Sequence, residues 1–391
     1  MVRETMRPKI WSFLFYLAFF AAASGLFPFT ALYYQSIGLT GSQIGLLTGL
    51  APLITLIGAP LWTGIADATH RHKIVLSLAI LASIGCALAI PSIRGLGLLL
   101  FTVSIYMLAA APIISLGDSA TMSMLGERRD LYGRVRLGGT IGWGAMAYLS
   151  GRIIDQNGIV WAYWIYAAGM VITLLIAQGL RFERVERDHS FLNGVRTLLA
   201  DRRWVLFLGM AFACGVGMAT INIYQFIYLA EIGASETLMG LSLTISTISE
   251  LPVMFFGGWL LKRFRARGLL TLGMAAIGVR LLLYSAFNYP AAILLIQLLH
   301  GLTFPAIWIA GVAYAHENAP SGLSATGQGL FGALMNGLGT AVGGLLGGVI
   351  IQLTSARGMY LLIGAGVLAG VLILAVMQHL IPAFQSKTAE D

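Results

Sequence analysis

The chain reads as an all-α membrane protein, with twelve transmembrane helices in two pseudo-symmetric bundles of six. Three observations carry that reading. Only 10% of its 391 residues are charged and 58% are hydrophobic, against roughly 25% charged in a soluble domain, and the mean hydropathy is +0.84. The apolar residues gather in runs of about 20, the length that crosses a bilayer as a helix. A short pattern also recurs: Ile37-Gly38-Leu39-Thr40 before Gly45-Leu46 reappears as Ile232-Gly233-Ala234-Ser235 before Gly240-Leu241, an offset of 195 residues (37 to 232). A repeat of that length marks an internal duplication, a common build for secondary transporters.

The runs place spans at 10–36, 42–66, 74–92, 97–119, 137–155, 159–180, 204–230, 236–261, 269–287, 290–314, 324–354 and 358–381. The first is too long for a signal peptide and is kept as a helix. Residues 1–180 form the first bundle, 181–203 a linker and 204–391 the second bundle. Within the linker, Ser190 could cap a short helix carrying Phe191, Leu192, Val195, Leu198 and Leu199 on one side; this segment is a surface-lying amphipathic connector or a solvated linker. Of the 24 Lys and Arg residues, all but Arg94, Arg152, Arg280 and Arg357 fall on one side of the spans. By the positive-inside rule that side is cytoplasmic, with both termini and the linker on it, in a multi-pass protein of the cell membrane. The basic excess therefore needs no nucleic acid. Cys86 and Cys214 lie in apolar runs and build no disulfide or metal framework.

Several polar residues then stand out in chain order. Gly64 and Asp67 precede Arg71 and Lys73 after the second span. Asp67 can accept from a helix N-terminus or pair with a neighbouring Arg, a contact that would lock one conformation and release in another. Asp118 lies deep in the fourth span, where a carboxylate is costly unless paired or protonated. Arg136, Thr140 and Trp143 follow at i, i+4 and i+7, on one helix face. An acid, a guanidinium, a hydroxyl and an indole suit a polar solute with a flat or ring-shaped part. Arg136 alone could instead snorkel to the interface.

In the second half, Asn222 and Gln225 at i, i+3 could bind solute or serve as interhelical glue. Glu250, Arg280 and His300 place one ionisable group on each of three successive spans. Charges at that depth meet each other or water, so Glu250 or Asp118 is expected to neutralise Arg280, and His300 is a member of that network or a satisfied core histidine. The glycines from Gly337 to Gly348 read as close packing and gating rather than a phosphate loop, which requires a preceding strand.

Together these residues resemble the sugar- and aromatic-acid-transporting branch of the major facilitator superfamily. Nearest in look is the phenylpropionate permease type, with lactose permease and the nucleoside:proton symporters as relatives. Gly64-x-x-Asp67 followed by Arg71 and Lys73 is similar to the superfamily's loop signature, with Thr69 and His70 as departures. YGRVRLGGTIGW resembles the sugar-binding fifth helix of lactose permease, and the resemblance makes Asp118, Arg136 and Trp143 solute ligands. VRLLL followed by LLH is similar to that family's Arg and His, here Arg280 and His300, and the phenylpropionate branch implies Glu250. The nucleoside symporters imply Arg136, Thr140, Trp143 and Gln225. Thr303 and Asn336 stand where lactose permease has ionisable residues, so its coupling scheme does not transfer.

The expectation is a monomeric, alternating-access symporter for a sugar, nucleoside or aromatic acid. It runs on a proton gradient (Na+ is the open alternative), with Glu250 or Asp118 as the proton carrier and no cofactor. Proton-driven efflux of lipophilic compounds is the rival, and a non-transporting membrane sensor the more distant one. With no nucleophile–base pair or metal-ligand cluster in view, an enzyme is not expected.

Overall fold

The computed structural model describes residues 2–128, 131–182, 191–320 and 322–380. Thirteen helices organise them. They are α1 (Ile10–Ser36), α2 (Gly41–Thr69), α3 (His72–Ser92), α4 (Leu96–Leu125), α5 (Tyr132–Asn157), α6 (Trp161–Ala177), α7 (Phe191–Ala200), α8 (Arg202–Glu231), α9 (Glu236–Phe255), α10 (Gly257–Ala286), α11 (Pro290–Asn318), α12 (Ser324–Leu353) and α13 (Ala356–Val376). Ten of these are long and apolar enough to cross a membrane. The other two crossings are α5, which carries Arg134, Arg136, Arg152 and Asp155, and α6, with 17 residues. With α7 set aside as a connector, the twelve crossings match the twelve apolar runs.

The duplicated sequence pattern folds the same way twice. Gly38 and Gly233 both have positive φ, +85° and +79°, the region glycine enters without penalty. In each copy the glycine N–H and the next N–H bond back to the preceding helix, Gly38 to Gln35 and Leu39 to Tyr34, Gly233 to Ala230 and Ala234 to Leu229. Thr40 then caps α2, accepting from the Gln43 N–H in a capping box, and Ser235 accepts from the Leu238 N–H at the start of α9. These side-chain oxygens satisfy helix N–H groups that have no intrahelical partner.

Contacts divide the chain into two units. Unit 1 is Met1–Arg187 with Phe226–Ile248, and unit 2 is Asp188–Gln225 with Ser249–Asp391. The end of α8 and most of α9 therefore belong to unit 1. There the backbone of α9 meets that of α5: Gly151 leaves no room for a Cβ beside the Glu236 carbonyl, Thr244 donates to the Gly144 carbonyl at 2.8 Å, and Thr237 donates to Asp155 at 2.6 Å. In unit 2, α12 loosens into a π-helix over Ala333–Gly339, where the Met335 carbonyl presses on Gly215 of α8.

Several boundaries differ from those read in the sequence. The fifth crossing starts at Tyr132 rather than 137, so Arg136 lies inside its second turn. The eighth crossing breaks at Phe256, and the helix path is kinked at Arg265 (φ 55°, ψ 164°) within the basic cluster. The short linker helix exists as α7. Leu198 on it is buried while Leu199 is 49% exposed, and Gly194 lies against Leu323 and Thr326 at the start of α12, so its inner side packs on protein. Ser190, assigned as its cap, lies outside the described residues, as do the basic residues Arg129, Arg184, Arg187 and Lys387.

Candidate functional site

The first charged site belongs to unit 1, and glycines position it. On α5, a Cβ at Gly138 or Gly142 would run into the carbonyls of Phe13 or Leu17 on α1. The two backbones therefore touch, and Tyr16 and Phe20, at i and i+4 on α1, come up against the polar face of α5. Gly139 leaves the space that the Phe20 ring fills.

The Arg136 guanidinium carbon sits 4.8 Å from the Tyr16 ring centre and 4.9 Å from that of Phe20. Each contact is worth about 0.5–2 kcal/mol depending on desolvation. Phe20 in turn packs edge-on against Trp143, centres 6.5 Å apart. Asp118 on α4 accepts from the Tyr16 hydroxyl at 2.6 Å and from the Tyr132 hydroxyl at 3.0 Å, both at Oδ1. The same oxygen is 3.8 Å from Arg136 Nη1, with both side chains 36% exposed. An ion pair this long and this accessible is weak. Arg136 Nη1 is buried with no hydrogen-bond partner among the described residues, a donor that ordinarily finds one.

The structure sets Asp118 beside Arg136, relates Trp143 to Arg136 through the Phe20 ring, and adds Tyr16, Tyr132 and Phe20, which sequence reasoning missed. Tyr132 sits four residues before Arg136 and was legible by helical spacing. The α1 rings were not, since only the α1–α5 crossing brings them in. Thr140 is half-buried and makes no hydrogen bond among the described residues.

The second site belongs to unit 2. Arg280 on α10 is 1% exposed. The expectation that Glu250 or Asp118 neutralises it directly is corrected: its partners are neutral. Nη1 donates to His300 Nδ1 at 2.9 Å and Thr303 Oγ1 at 3.4 Å, and Nη2 donates to the Tyr284 hydroxyl at 3.2 Å and to Gln297 Oε1. Asp118 instead serves Arg136 within unit 1. Glu250 reaches the arginine through the imidazole, its Oε1 lying 2.9 Å from His300 Nε2. Arg280 is a donor only, so Nδ1 accepts and the imidazole proton is assigned to Nε2, pointing at Glu250. A glycine again sets the approach, because Gly301 on α11 has no room for a Cβ beside the Ser249 carbonyl.

Gln225 is buried and accepts from the Tyr284 hydroxyl at 3.4 Å, so it joins the Arg280 network. Asn222, its predicted companion, is exposed. In the loop after α2, Asp67 pairs with His72 Nε2 at 2.7 Å, and among the described residues with no Arg or helix N-terminus. Lys73 donates to the Gln178 carbonyl at 2.7 Å. Arg71 and Gly64 are exposed. His72 opens the next helix, so its side chain reaches back over the turn more readily than that of Arg71, the residue preceding it.

A family model described as the MFS_1 like family matches residues 10–362. The chain is 28% identical over 383 residues to a maltose permease of Geobacillus stearothermophilus, covering 96% of this chain and 94% of that one. It is 24% identical over 311 residues to a probable 3-phenylpropionic acid transporter of Escherichia coli (strain K12), covering 78% and 81%. Among solved structures, the nucleoside transporter NupG superposes with a TM-score of 0.82 at 16% identity, covering 95% of this chain and 98% of that one.

Proposed function

That the chain belongs to the MFS_1 like family, and is a major facilitator transporter spanning the membrane many times, is the premise from which we propose that it carries a small polar or aromatic organic solute together with a proton. The solute class is that of sugars, nucleosides and aromatic acids, and the route is alternating access by a monomer. The observation that carries this reading is the Arg136 site. A guanidinium packed against two aromatic rings presents a buried donor with no partner among the described residues, beside a carboxylate that its own tyrosines hold in place. That donor–acceptor pair suits hydroxyl, carbonyl or carboxylate groups, and Phe20 and Trp143 suit a ring.

Proton coupling is supported by the line Glu250–His300–Arg280. While Arg280 holds Nδ1, a second proton on His300 would point N–H at N–H. The group free to take a proton is therefore Glu250, with Asp118 as the second candidate carrier. Residues 1–180 and 204–391 are the two transporting halves, 181–203 the linker, Gln225 part of the coupling network, and Thr140 and Asn222 further solute contacts. Gly64, Asp67, Arg71 and Lys73 form the conformational-switch loop. The distribution of Lys and Arg puts both termini in the cytoplasm of a cell-membrane protein.

The experiment is a thermal-stability panel on purified protein with sugars, nucleosides and aromatic carboxylates. A ligand at 100 times its Kd adds about 2.7 kcal/mol of apparent stability. A shift from one class that disappears in Arg136→Ala supports the reading and names the class. A shift that survives Arg136→Ala removes the solute from this site. Full uphill uptake in both Glu250→Gln and Asp118→Asn ends the coupling proposal.

A further inference from the structure

Unit 1 carries a third concentration of charge that neither site uses. Where α2 turns into α3 and the chain leaves α6, an open cleft of about 650 Å³ is lined by Arg71, Lys73, Arg181, His70, Phe182 and Ile74 among others, and among the described residues by no carboxylate. Three of those side chains are permanent cations. The nearby acid, Asp67, is engaged by His72 at 2.7 Å and is not part of the lining. The His72 ring stacks on Phe182, centres 5.2 Å apart and planes 18° apart, which pins Arg181 and Phe182 against the start of α3. Lys73 is tied to the Gln178 carbonyl at the end of α6. The guanidinium groups of Arg71 and Arg181 have no hydrogen bond or ion pair among the described residues, and both residues are exposed. No side chain caps α3, so its first N–H groups and dipole add to the positive potential.

The cleft does not end at its charges. Ile74 (53% exposed) continues along α3 to Leu78 (56%) and Leu81 (51%), at i, i+4 and i+7. Ile172 (54%) and Leu175 (66%) are equally exposed on α6, which packs against α3. A cationic cleft that runs into an apolar stripe matches one chemistry better than any soluble anion: a phosphate headgroup with an acyl chain attached. We propose that this cleft binds an anionic phospholipid of the adjacent leaflet. Arg71, Lys73 and Arg181 hold the phosphate, and an acyl chain lies along Ile74, Leu78 and Leu81. Because Lys73 and His72 also bridge α2, α3 and the end of α6, the lipid fastens three helices of the unit at one point.

The test is lipid binding to the purified full chain by native mass spectrometry, comparing phosphatidylglycerol with phosphatidylcholine of the same chains, and with glycerol 3-phosphate as the chain-free headgroup. One cationic side chain near a bilayer surface is worth about fivefold in affinity for an anionic lipid, so R71Q/R181Q should weaken phosphatidylglycerol binding by roughly 25-fold. Size-exclusion profile and thermal stability check that the variant is folded. R128Q/R134Q removes two exposed charges outside the cleft lining and is expected to bind as the parent does.

Equal loss in both double variants would reduce the effect to general surface charge and overturn the site. No preference for phosphatidylglycerol over phosphatidylcholine would do the same. Glycerol 3-phosphate binding as tightly as the lipid would make the occupant a free phosphate compound and overturn the lipid assignment.

Discussion

Arg136 and Arg280 are both arginines inside membrane helices, yet their surroundings are opposite. Arg136 lies against the Tyr16 and Phe20 rings, 36% exposed, with a carboxylate 3.8 Å away and a donor left over. Arg280 is 1% exposed, and its terminal nitrogens are shared among His300, Thr303, Tyr284 and Gln297. An aromatic face attracts a cation without consuming its hydrogen-bonding capacity, so Arg136 can still give its donors to a ligand. Neutral acceptors take up both terminal nitrogens of Arg280 and leave its buried Nε without a partner among the described residues, so on the proposed reading Arg280 acts by biasing His300. On the proposed function, the first site binds the solute and the second fixes the proton positions of Glu250 and His300.

The largest test of this contrast is Glu250→Gln. The amide keeps the shape but accepts no transported proton. Gradient-driven accumulation is expected to fall by about 10-fold or more, to the level of equilibration, while solute exchange in proteoliposomes continues, as for loss of a positioned proton carrier. Persistent uphill uptake would move the proton elsewhere and break the assigned division of labour.

Arg136→Lys sharpens the other side. A lysine keeps the charge and loses both the planar stacking and the fork of donors. Solute Kd is expected to rise about tenfold, on the order of 1.4 kcal/mol, with little change in the stability of the ligand-free protein because the pair with Asp118 is accessible and weak. Arg280→Lys should do the reverse, costing on the order of 2 kcal/mol of thermal stability through orphaned buried acceptors. If the two substitutions behave alike in melting curves with and without solute, the distinction collapses.

Gly142→Ala tests what holds the first site together. The added Cβ has no room beside the Leu17 carbonyl, and overpacking costs about 1–3 kcal/mol. It should also weaken solute binding, because Tyr16 and Phe20 move with α1. Unchanged binding in a destabilised protein would detach the α1 rings from the site. The smallest expected effect is that of Tyr132→Phe, which removes one of two hydroxyls from Asp118. About 1 kcal/mol is at stake in such a bond, read as a few-fold change in solute Kd by isothermal titration.

Much of this was legible in the chain. Hydrophobic run length set the twelve crossings, because a helix in lipid must satisfy its own backbone over a fixed thickness. The repeat at Ile37 and Ile232 announced a duplication, and both copies fold into the same glycine turn and cap. Helical spacing put Arg136 and Trp143 on one face, and the cost of burying charge singled out Asp118, Glu250, Arg280 and His300. These are local rules, carried by composition and by residues three or four apart.

Partnership was decided elsewhere. That Arg280 meets His300 and not a carboxylate, that Tyr16 and Phe20 enclose Arg136 and that Gln225 parts company with Asn222 depend on where helix backbones cross, whereas Asp67 takes His72 across a single turn. The α1–α5 and α9–α11 approaches are set at Gly138, Gly142 and Gly301, where a missing side chain lets another helix's carbonyl in. A glycine shows in the sequence as a position without a side chain, while the identity of the backbone that fills the space is set only when segments far apart in the chain pack together.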